Sequence, residues 1–307
     1  MKKILVLYYT QSGQLRDILN HLLKGVEAQV EIDMVPIEPV KPFPWPWNAY
    51  AFFDAMPETV ERIPPEVRPV ANEVKQKDYD LVILGYQPWF LNPSQPITGF
   101  LKSEDAGLLR GKAVVTVIGC RNMWLHSQEQ IKQDLSRIGA RLVGNIVLVD
   151  SHTNVVSTLT VIRWSFTGKK EASGILPAAG VQDKDIQESS RFGPVILKHL
   201  LSGDLTTLQQ DLLNNQAIAL DPGLVLLEQR GIKNFRFWAK FIREKGGPGD
   251  LNRRGRILLF KRLLLTAIFI LSPLSSLSAF IKLQLKKRSL LNDVEYFKDV
   301  KFESGRI

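Results

Sequence analysis

The chain has 307 residues, of which 45% are apolar and 23% are charged, a composition that is ordinary for a folded globular protein and excludes extensive disorder. Its 40 Lys and Arg exceed its 31 Asp and Glu, which gives a formal net charge of +9. One cysteine excludes an intrachain disulfide framework, and the four histidines lack the spacing of metal ligands. The apolar run at the N-terminus is too short for a signal peptide, so we expect a cytoplasmic protein without a bound metal.

Short apolar runs and amphipathic stretches alternate through the first half of the chain. Residues 4–9 (ILVLYY) predict a strand, residues 10–14 (TQSGQ) a polar turn, and residues 15–26 a helix. A second helix is predicted at 127–138, and four further strands at 30–37, 80–85, 113–119 and 142–149. Apolar strands that alternate with helices are typical of a parallel sheet covered on both faces. We therefore predict a doubly wound α/β fold with five parallel strands.

A segment rich in proline and aromatic residues, 38–69, interrupts this alternation and is named the arm. It includes the run PFPWPW at 42–47, followed by Tyr50, Phe52 and Phe53. Such a density of proline predicts an irregular segment, and long ordered segments of this kind often act as lids or binding loops. Three roles are open: the arm could wall an apolar pocket, contact a membrane, or pack on the domain surface.

The second half of the chain is less regular. Residues 155–164 predict another strand, and residues 187–201 and 205–215 predict helices. Breaks at glycine-containing stretches divide the chain into three predicted parts. These are an α/β domain that includes the arm, a mainly helical extension, and a basic, apolar tail, at residues 1–168, 169–248 and 249–307.

Positive charge is concentrated near the C-terminus. Residues 231–288 contain 14 Lys and Arg and only two acidic residues, whereas the rest of the chain is slightly acidic. This basic stretch surrounds 19 residues without a charge, 263–281, and a membrane-spanning helix needs roughly 20. The serines and Pro273 within the uncharged run favour a broken helix that lies in one leaflet. We therefore expect residues 249–288 to bind a membrane lipid surface, and the protein to associate peripherally with the inner face of the cell membrane.

The same uncharged run has other interpretations. A true membrane span, a buried helix, and an interface between two copies of the chain stay open, because basic flanks on both sides give no orientation. Nucleic acid is disfavoured as a partner, since the basic residues surround an apolar segment instead of lining a polar face.

The turn after the first strand carries the first chemical signal. Thr10, Ser12 and Gln14 surround Gly13, and a helix begins at once, so hydroxyls and the positive end of a helix meet at one place. Neither a Gly-x-Gly-x-x-Gly motif nor a Walker lysine is present, which favours a monophosphate over a dinucleotide or a nucleoside triphosphate. An ordinary capped turn is the alternative.

Two more turns lie where strands of the predicted sheet end. Residues 85–92 (GYQPWFLN) and 119–124 (GCRNMW) each supply aromatic rings and backbone amides. Open α/β sheets bind ligands at the carboxyl ends of their strands. Together with the first turn, these two predict a pocket for a phosphorylated planar ring.

The order of these motifs resembles the flavodoxin and NADPH-dependent FMN reductase superfamily over residues 1–149. The run QPWFLNPSQPI is similar to the ring-binding loop of that superfamily, with an insertion and a Trp-Phe pair in place of the usual residues. The resemblance implies a flavodoxin-like fold, an FMN cofactor, and an FMN phosphate held by Thr10, Gln11, Ser12, Gly13, Gln14 and Leu15. It implies that the isoalloxazine ring is held by Pro88, Trp89, Phe90, Leu91, Asn92, Gly119, Cys120, Arg121, Asn122 and Trp124.

The run YYTQSGQL, the PWPW of the arm, GCRNMW and the basic tail more closely resemble long flavodoxin-like proteins of dialkylresorcinol and flexirubin-type pigment pathways. That resemblance implies an aromatase that oxidises a hydrophobic 2,5-dialkylcyclohexane-1,3-dione to a dialkylresorcinol. In this reaction Arg121 is the candidate for stabilising an enolate and His126 for moving a proton. Cys120 is expected to be a small buried filler.

Three other functions stay open for such a chain. They are an NAD(P)H-dependent quinone or flavin reductase, a membrane-attached electron carrier, and a binding module whose flavin site no longer works.

Overall fold

The computed structural model of the chain describes residues 1–271 and 287–306. Apolar runs form the strands of a parallel sheet, and consecutive residues of β1 and β3 are buried alike because both faces of the sheet are covered. The described strands are β1 (Lys3–Tyr8), β2 (Glu31–Pro36), β3 (Leu81–Tyr86), β4 (Pro88–Trp89), β5 (Asn92–Pro93), β6 (Ala113–Cys120) and β7 (Arg141–Val149).

The main sheet has five strands in the order β2-β1-β3-β6-β7, all parallel, and β4 and β5 form a separate small hairpin. Counting only the strands of the main sheet, this is the doubly wound order 2-1-3-4-5 of flavodoxin-like proteins. The carboxyl ends of β1 and β3 meet, since Tyr8 lies beside Gly85 in register. The predicted fold class is confirmed.

Helices and short helical turns fill the connections. The described α-helices are α1 (Gln14–Leu23), α2 (Ala49–Asp54), α3 (Met56–Val60), α4 (Asn72–Lys75), α5 (Gln95–Leu101), α6 (Leu125–Ile138), α7 (Asn154–Thr167), α8 (Asp183–Glu188), α9 (Phe192–Ser202), α10 (Leu208–Asn214), α11 (Pro222–Arg243), α12 (Arg254–Thr266) and α13 (Lys287–Lys298). Turns of 3₁₀ helix cover Glu104–Leu109, Ser189–Arg191 and Leu251–Arg253, and one turn of π-helix covers Ala267–Leu271.

Two glycines bring α1 close to the sheet at its carboxyl edge. A Cβ at Gly85 would lie 2.8 Å from Leu19 Cδ1, and one at Gly119 would lie 2.9 Å from Ile18 Cδ1. Both distances are shorter than van der Waals contact, so a larger residue at either position would push the helix away. The ends of β3 and β6 thereby set the position of the first turn of α1.

The prediction of a strand at 155–164 is wrong, because these residues belong to the helix α7. Among the β-branched residues of this run, Val155 is exposed, whereas Thr158 and Thr160 are buried. The buried residues of the helix are Ser157, Thr158, Thr160 and Trp164, and Ser157, Thr160 and Trp164 lie on one helical face. The hydroxyl of Ser157 donates to the buried Asp150 at 2.7 Å, which fixes the start of this helix to the end of β7.

The arm contains two short helices, α2 and α3. Its density of proline predicted an irregular segment, and this prediction is wrong for the residues of these helices. Asn48 caps α2 by accepting a hydrogen bond from the N–H of Ala51 at 2.7 Å. Pro57 lies in the first turn of α3, where a missing N–H leaves no helical hydrogen bond unmade. Proline therefore starts a helix here and does not break one.

The arm, α11 and α12 share a second hydrophobic core beside the sheet. Its buried members are Phe53, Met56, Val60, Ala239, Ile242, Ile257 and Phe260. A fully buried Arg253, just before α12, joins this core to the arm by ion pairs with Asp54 at 2.7 Å and Glu58 at 2.8 Å. The tail therefore begins with a residue that is fixed to the arm.

The chain after residue 286 returns to the sheet domain. In α13, Leu290 and Phe297 are buried, and the Tyr296 hydroxyl donates to Glu129 of α6 at 2.7 Å. Within residues 1–271 and 287–306, none of the helices is both long enough and apolar enough to span a bilayer. The predicted membrane segment at 263–281 lies partly outside the described residues, and the division into parts at 168 and 248 stays a prediction.

Candidate functional site

The turn between β1 and α1 leaves the amino end of α1 without a cap from any described side chain. Gly13 has a φ of +89°, and its N–H donates to Thr10 Oγ1 at 3.1 Å. A Cβ at Gly13 would meet no atom within 4 Å, so open space lies beside the turn. Because the first N–H groups of a helix attract anions, this turn has the chemistry of a phosphate site.

Three of the predicted phosphate-binding residues have side chains with partners inside the protein, and their contact with a phosphate stays a prediction. The side-chain amide of Gln14 accepts from the N–H of Val181 at 3.1 Å and donates to its carbonyl at 3.0 Å. Gln11 donates to the carbonyl of Pro44 at 2.8 Å. The side chain of Leu15 is buried in the main core. Only the backbone groups of these three residues are left for an anion.

The hairpin β4–β5 shapes the second turn and has an unusual backbone. Phe90 and Leu91 form its two-residue loop with φ angles of +46° and +66°. Bulky residues rarely adopt this region, at a typical cost of about 1–3 kcal/mol each. Packing offsets that cost, since Phe90 lies 5.9 Å from the ring of Phe235 and Leu91 Cδ1 packs against Gly231 of α11. The long helix α11 therefore holds the hairpin in place.

Trp89 of this hairpin lies in a group of aromatic rings that joins the first turn to the arm. Its ring centroid is 5.8 Å from Tyr9, 5.0 Å from Phe43 and 5.4 Å from Trp47, each in an edge-to-face arrangement. Aromatic pairs of this geometry are stabilising beyond the area they bury. The arm thus packs on the first two turns, and the three roles that the sequence left open for it stay predictions.

The third turn, after β6, is tied to α7. The guanidinium of Arg121 donates to Asn154 Oδ1 at 2.5 Å and to Thr158 Oγ1 at 3.0 Å. Burial lowers the pKa of Arg121 from its ordinary value. Its hydrogen-bond partners among the described residues are neutral, and the nearby carboxylate of Asp150 favours the charged form of the guanidinium.

Asn122 presents an unused acceptor beside Arg121. Its Nδ2 donates to Asn154 Oδ1 at 3.2 Å, but its own Oδ1 is buried and has no partner among the described residues. A buried polar atom without a hydrogen bond is unfavourable by about 1–3 kcal/mol. An N–H donor on a ligand would remove that cost.

Of the other predicted residues in the third turn and at the start of α6, Cys120 is half-buried, and Trp124 and His126 are buried. Burial raises the pKa of the Cys120 thiol well above its usual range, which agrees with a filler and not a nucleophile. Trp124 is fully buried in the main core. His126 is 3% exposed, and burial lowers its pKa to about 4, so its ring is neutral at pH 7. Such burial favours packing beneath the turn over contact with a substrate, and proton transfer by His126 stays a prediction.

Glu228 of α11 is a residue of this site that the sequence did not indicate. Its carboxylate is fully buried and accepts hydrogen bonds from the N–H groups of Leu125 at 3.0 Å and His126 at 2.9 Å. It therefore caps α6 directly after the third turn, from about a hundred residues away in sequence. Burial raises the pKa of Glu228 to about 7. No local motif could have revealed it, because a capping residue is ordinarily adjacent to its helix.

The three turns meet at one edge of the sheet, and the arm packs on the first two of them. The two best-formed surface depressions of the described residues lie elsewhere, with volumes of about 560 Å³ and about 470 Å³. One lies at the ends of α5 and α6, the other beside α10, and neither includes a residue of the three turns. The position of the arm therefore decides how much room a ring has between the turns.

No protein-family model and no curated protein sequence matches the chain. Solved structures do, at low identity. A flavoprotein from Lactobacillus acidophilus in complex with FMN is 18% identical over 48% of this chain and 93% of its own, with a TM-score of 0.39. A flavodoxin from the domain Archaea is 15% identical over 65% and 99%, with a TM-score of 0.34. A flavone reductase is 10% identical over 65% and 63%, with a TM-score of 0.36.

At these identities and scores the comparisons carry no argument about chemistry, and the strand order stands on its own. Five parallel strands in the order 2-1-3-4-5, with covering helices and a helical C-terminal region, give this chain a flavodoxin-like α/β fold.

Proposed function

We propose that the chain binds FMN at the three turns and acts as a flavin-dependent oxidoreductase on an apolar ring substrate. The observation that carries this proposal is the pairing of an uncapped helix end with an unused buried acceptor on the same edge of the sheet. The first suits a phosphate and the second suits a ring N–H, and FMN has both groups.

The phosphate end of the cofactor fits the first turn. Thr10 and Ser12 are only half-buried there, and the space beside Gly13 is open. Backbone N–H groups at the start of α1 would hold the phosphate, with the hydroxyl of Ser12 beside them. Gln14 would act indirectly, because its bonds to Val181 hold the start of the helix still.

The ring end of the cofactor fits the second and third turns. The Asn122 Oδ1 would accept from a ring N–H, while Trp89 and its aromatic neighbours would line one side. FMN, when bound, supplies the two-electron acceptor for the reaction. The protein contributes the position of the substrate and the charges around it.

The reaction that we propose, on the sequence resemblance, is the aromatisation of a 2,5-dialkylcyclohexane-1,3-dione to a dialkylresorcinol. The substrate loses two electrons and two protons, and one proton leaves from a carbon beside a carbonyl. Arg121 would stabilise the enolate that remains, because its half-buried guanidinium is held by the neutral side chains of Asn154 and Thr158. The apolar arm and the second core would accommodate the alkyl chains.

An NAD(P)H-dependent quinone or flavin reductase fits the same site equally well, and an electron carrier would use the same cofactor. The first test is an absorption spectrum of the purified protein, with mass identification of any released cofactor. Anaerobic mixing then separates the reactions. Bleaching of the flavin by a dialkylcyclohexanedione alone supports the aromatase, whereas bleaching by NADPH alone supports the reductase. If neither compound bleaches the flavin, the result favours an electron carrier.

A further inference from the structure

We propose that the outer face of α11 and α12 is a docking surface for an anionic lipid bilayer. The proposal concerns binding to a membrane and does not depend on the flavin chemistry. The α11–α12 face is defined by Phe237, Phe241, Leu258, Leu259, Arg262 and Leu263.

Four large apolar side chains of the α11–α12 face are exposed to solvent. Phe237 is 61% exposed, and Leu258, Leu259 and Leu263 are 40%, 45% and 47% exposed. Single exposed apolar side chains are normal on any protein. Several on adjacent turns of two packed helices form a patch, and such patches mark interaction sites.

The two helices present these side chains side by side. Phe237 and Phe241 are stacked at 6.0 Å on one strip of α11, and the guanidinium of Arg256 lies 3.8 Å from the centre of the Phe241 ring. Leu259 and Leu263 follow Arg256 by three and seven residues, which places them on the same strip of α12. The aromatic strip and the leucine strip are therefore neighbours.

Positive charge accompanies the apolar patch. Residues 231–271 contain ten Lys and Arg against Glu244 and Asp250, and seven of the ten are exposed, whereas Arg253 is buried in its ion pairs. Glu244 pairs with Arg256 at 2.8 Å, and Asp250 accepts from the N–H of Asn252 at 2.8 Å, so both acidic groups have local partners. Exposed cations beside an apolar face are typical of helices that lie on anionic lipid, where each contributes about 1 kcal/mol.

The face is held rigidly against the rest of the protein. Beneath α12, Arg253 is buried against Asp54 and Glu58, and Phe260 packs 5.6 Å from Trp238 of α11. A docking surface that is already ordered loses little entropy when it binds. The helix α12 precedes residues 272–286 and α13 follows them, and both helices contact α11. The described residues on the two sides of this segment therefore lie on the same side of any bilayer that the protein contacts.

Charge favours lipid over a second copy of the chain as the occupant. A twofold-symmetric dimer places the same patch of each protomer against itself. Here that pairing would bring the cations of α11 and α12 against their own copies, and like charges in contact are repelled. An anionic bilayer offers the opposite charge and an apolar interior at once.

The test is flotation of the full-length protein with vesicles of two compositions. One contains only phosphatidylcholine, and in the other about a third of the lipid is phosphatidylglycerol. We expect binding to the anionic vesicles that weakens as salt rises. The variant that combines Leu258→Gln, Leu259→Gln and Leu263→Gln should bind about tenfold or more weakly. Leu201→Gln, which changes an equally exposed leucine on α9, should bind like the wild type.

Charge is tested separately with Lys240→Gln, Arg254→Gln and Arg262→Gln combined, all exposed positions of α11 and α12. This variant should lose the preference for phosphatidylglycerol. Circular dichroism and thermal unfolding of every variant confirm that the fold is intact. The proposal is overturned if the leucine variant floats as well as the wild type. It is also overturned if light scattering shows that the leucine substitutions separate a dimer while vesicle binding is unchanged.

Discussion

Replacing Glu228 by Gln should change how the stability of the protein depends on pH. Glu228 is fully buried, and burial raises its pKa from the ordinary 4.5 to about 7 in the folded state. The folded protein therefore holds a proton on Glu228 between these pH values, where the unfolded chain has released it. The stabilisation from this difference is complete below pH 4.5 and is lost as pH rises through about 7.

The size of the effect follows from the two pKa values. Each unit of difference corresponds to about 1.4 kcal/mol, so the full effect of Glu228 is about 3 kcal/mol. The Gln variant cannot titrate at this position. We therefore expect the stability of the wild type, relative to Glu228→Gln, to fall by about 3 kcal/mol between about pH 4.5 and about pH 8.

Urea unfolding at a series of pH values measures this difference. A suitable control is Glu244→Gln, which removes an exposed carboxylate directly after the same helix and should change stability by about 1 kcal/mol or less at either pH. If the wild-type and Glu228→Gln curves run parallel across this range, the carboxylate is not the buried cap that we describe.

Three further predictions concern the site and its support. Asn122→Ala removes the unused acceptor and should weaken FMN binding about tenfold, measured by fluorescence titration, whereas unchanged affinity would exclude Asn122 as a ring contact. Trp47→Ala should loosen the arm over Trp89 and make bound flavin more accessible to iodide quenching, and equal quenching would show that the arm does not cover the site. Arg253→Met should reduce the free energy of unfolding by about 3–5 kcal/mol because it removes the ion-pair partner of the buried Asp54 and leaves Glu58 with only the partly exposed Arg243 at 3.6 Å. Arg256→Met, which breaks an exposed pair, should change it by about 1 kcal/mol or less; similar losses in the two variants would contradict the difference in burial.

The sheet could be predicted from the sequence because its signals are local. Each strand of the main sheet contains a run of apolar residues. A strand whose two faces are both covered needs apolar side chains on both faces, so its sequence is apolar almost throughout. The turn with Gly13 was predictable for the same reason, since its polar residues lie between a strand and a helix. The wrong prediction at 155–164 also has a local cause: a β-branched run favoured a strand, whereas the segment forms a helix with four buried residues.

The support of the site could not be predicted, because it comes from residues far away in the chain. Glu228 caps a helix that begins at Leu125, and Gln14 bonds to Val181. Arg253 pairs with the arm about 200 residues earlier. Such contacts depend on how elements pack, and a single sequence carries no local pattern for them. They hold the side chain of Gln14 against Val181, next to the turn that we predict to bind a phosphate.

Equilibrium titration of the purified protein with FMN measures whether the three turns hold this cofactor. We expect tight binding with a shifted flavin absorption spectrum, and weaker binding of riboflavin, which lacks the phosphate that the start of α1 would hold. Equal affinity for FMN and riboflavin would contradict the phosphate site, and no change in the flavin spectrum with either compound would contradict the flavin site as a whole.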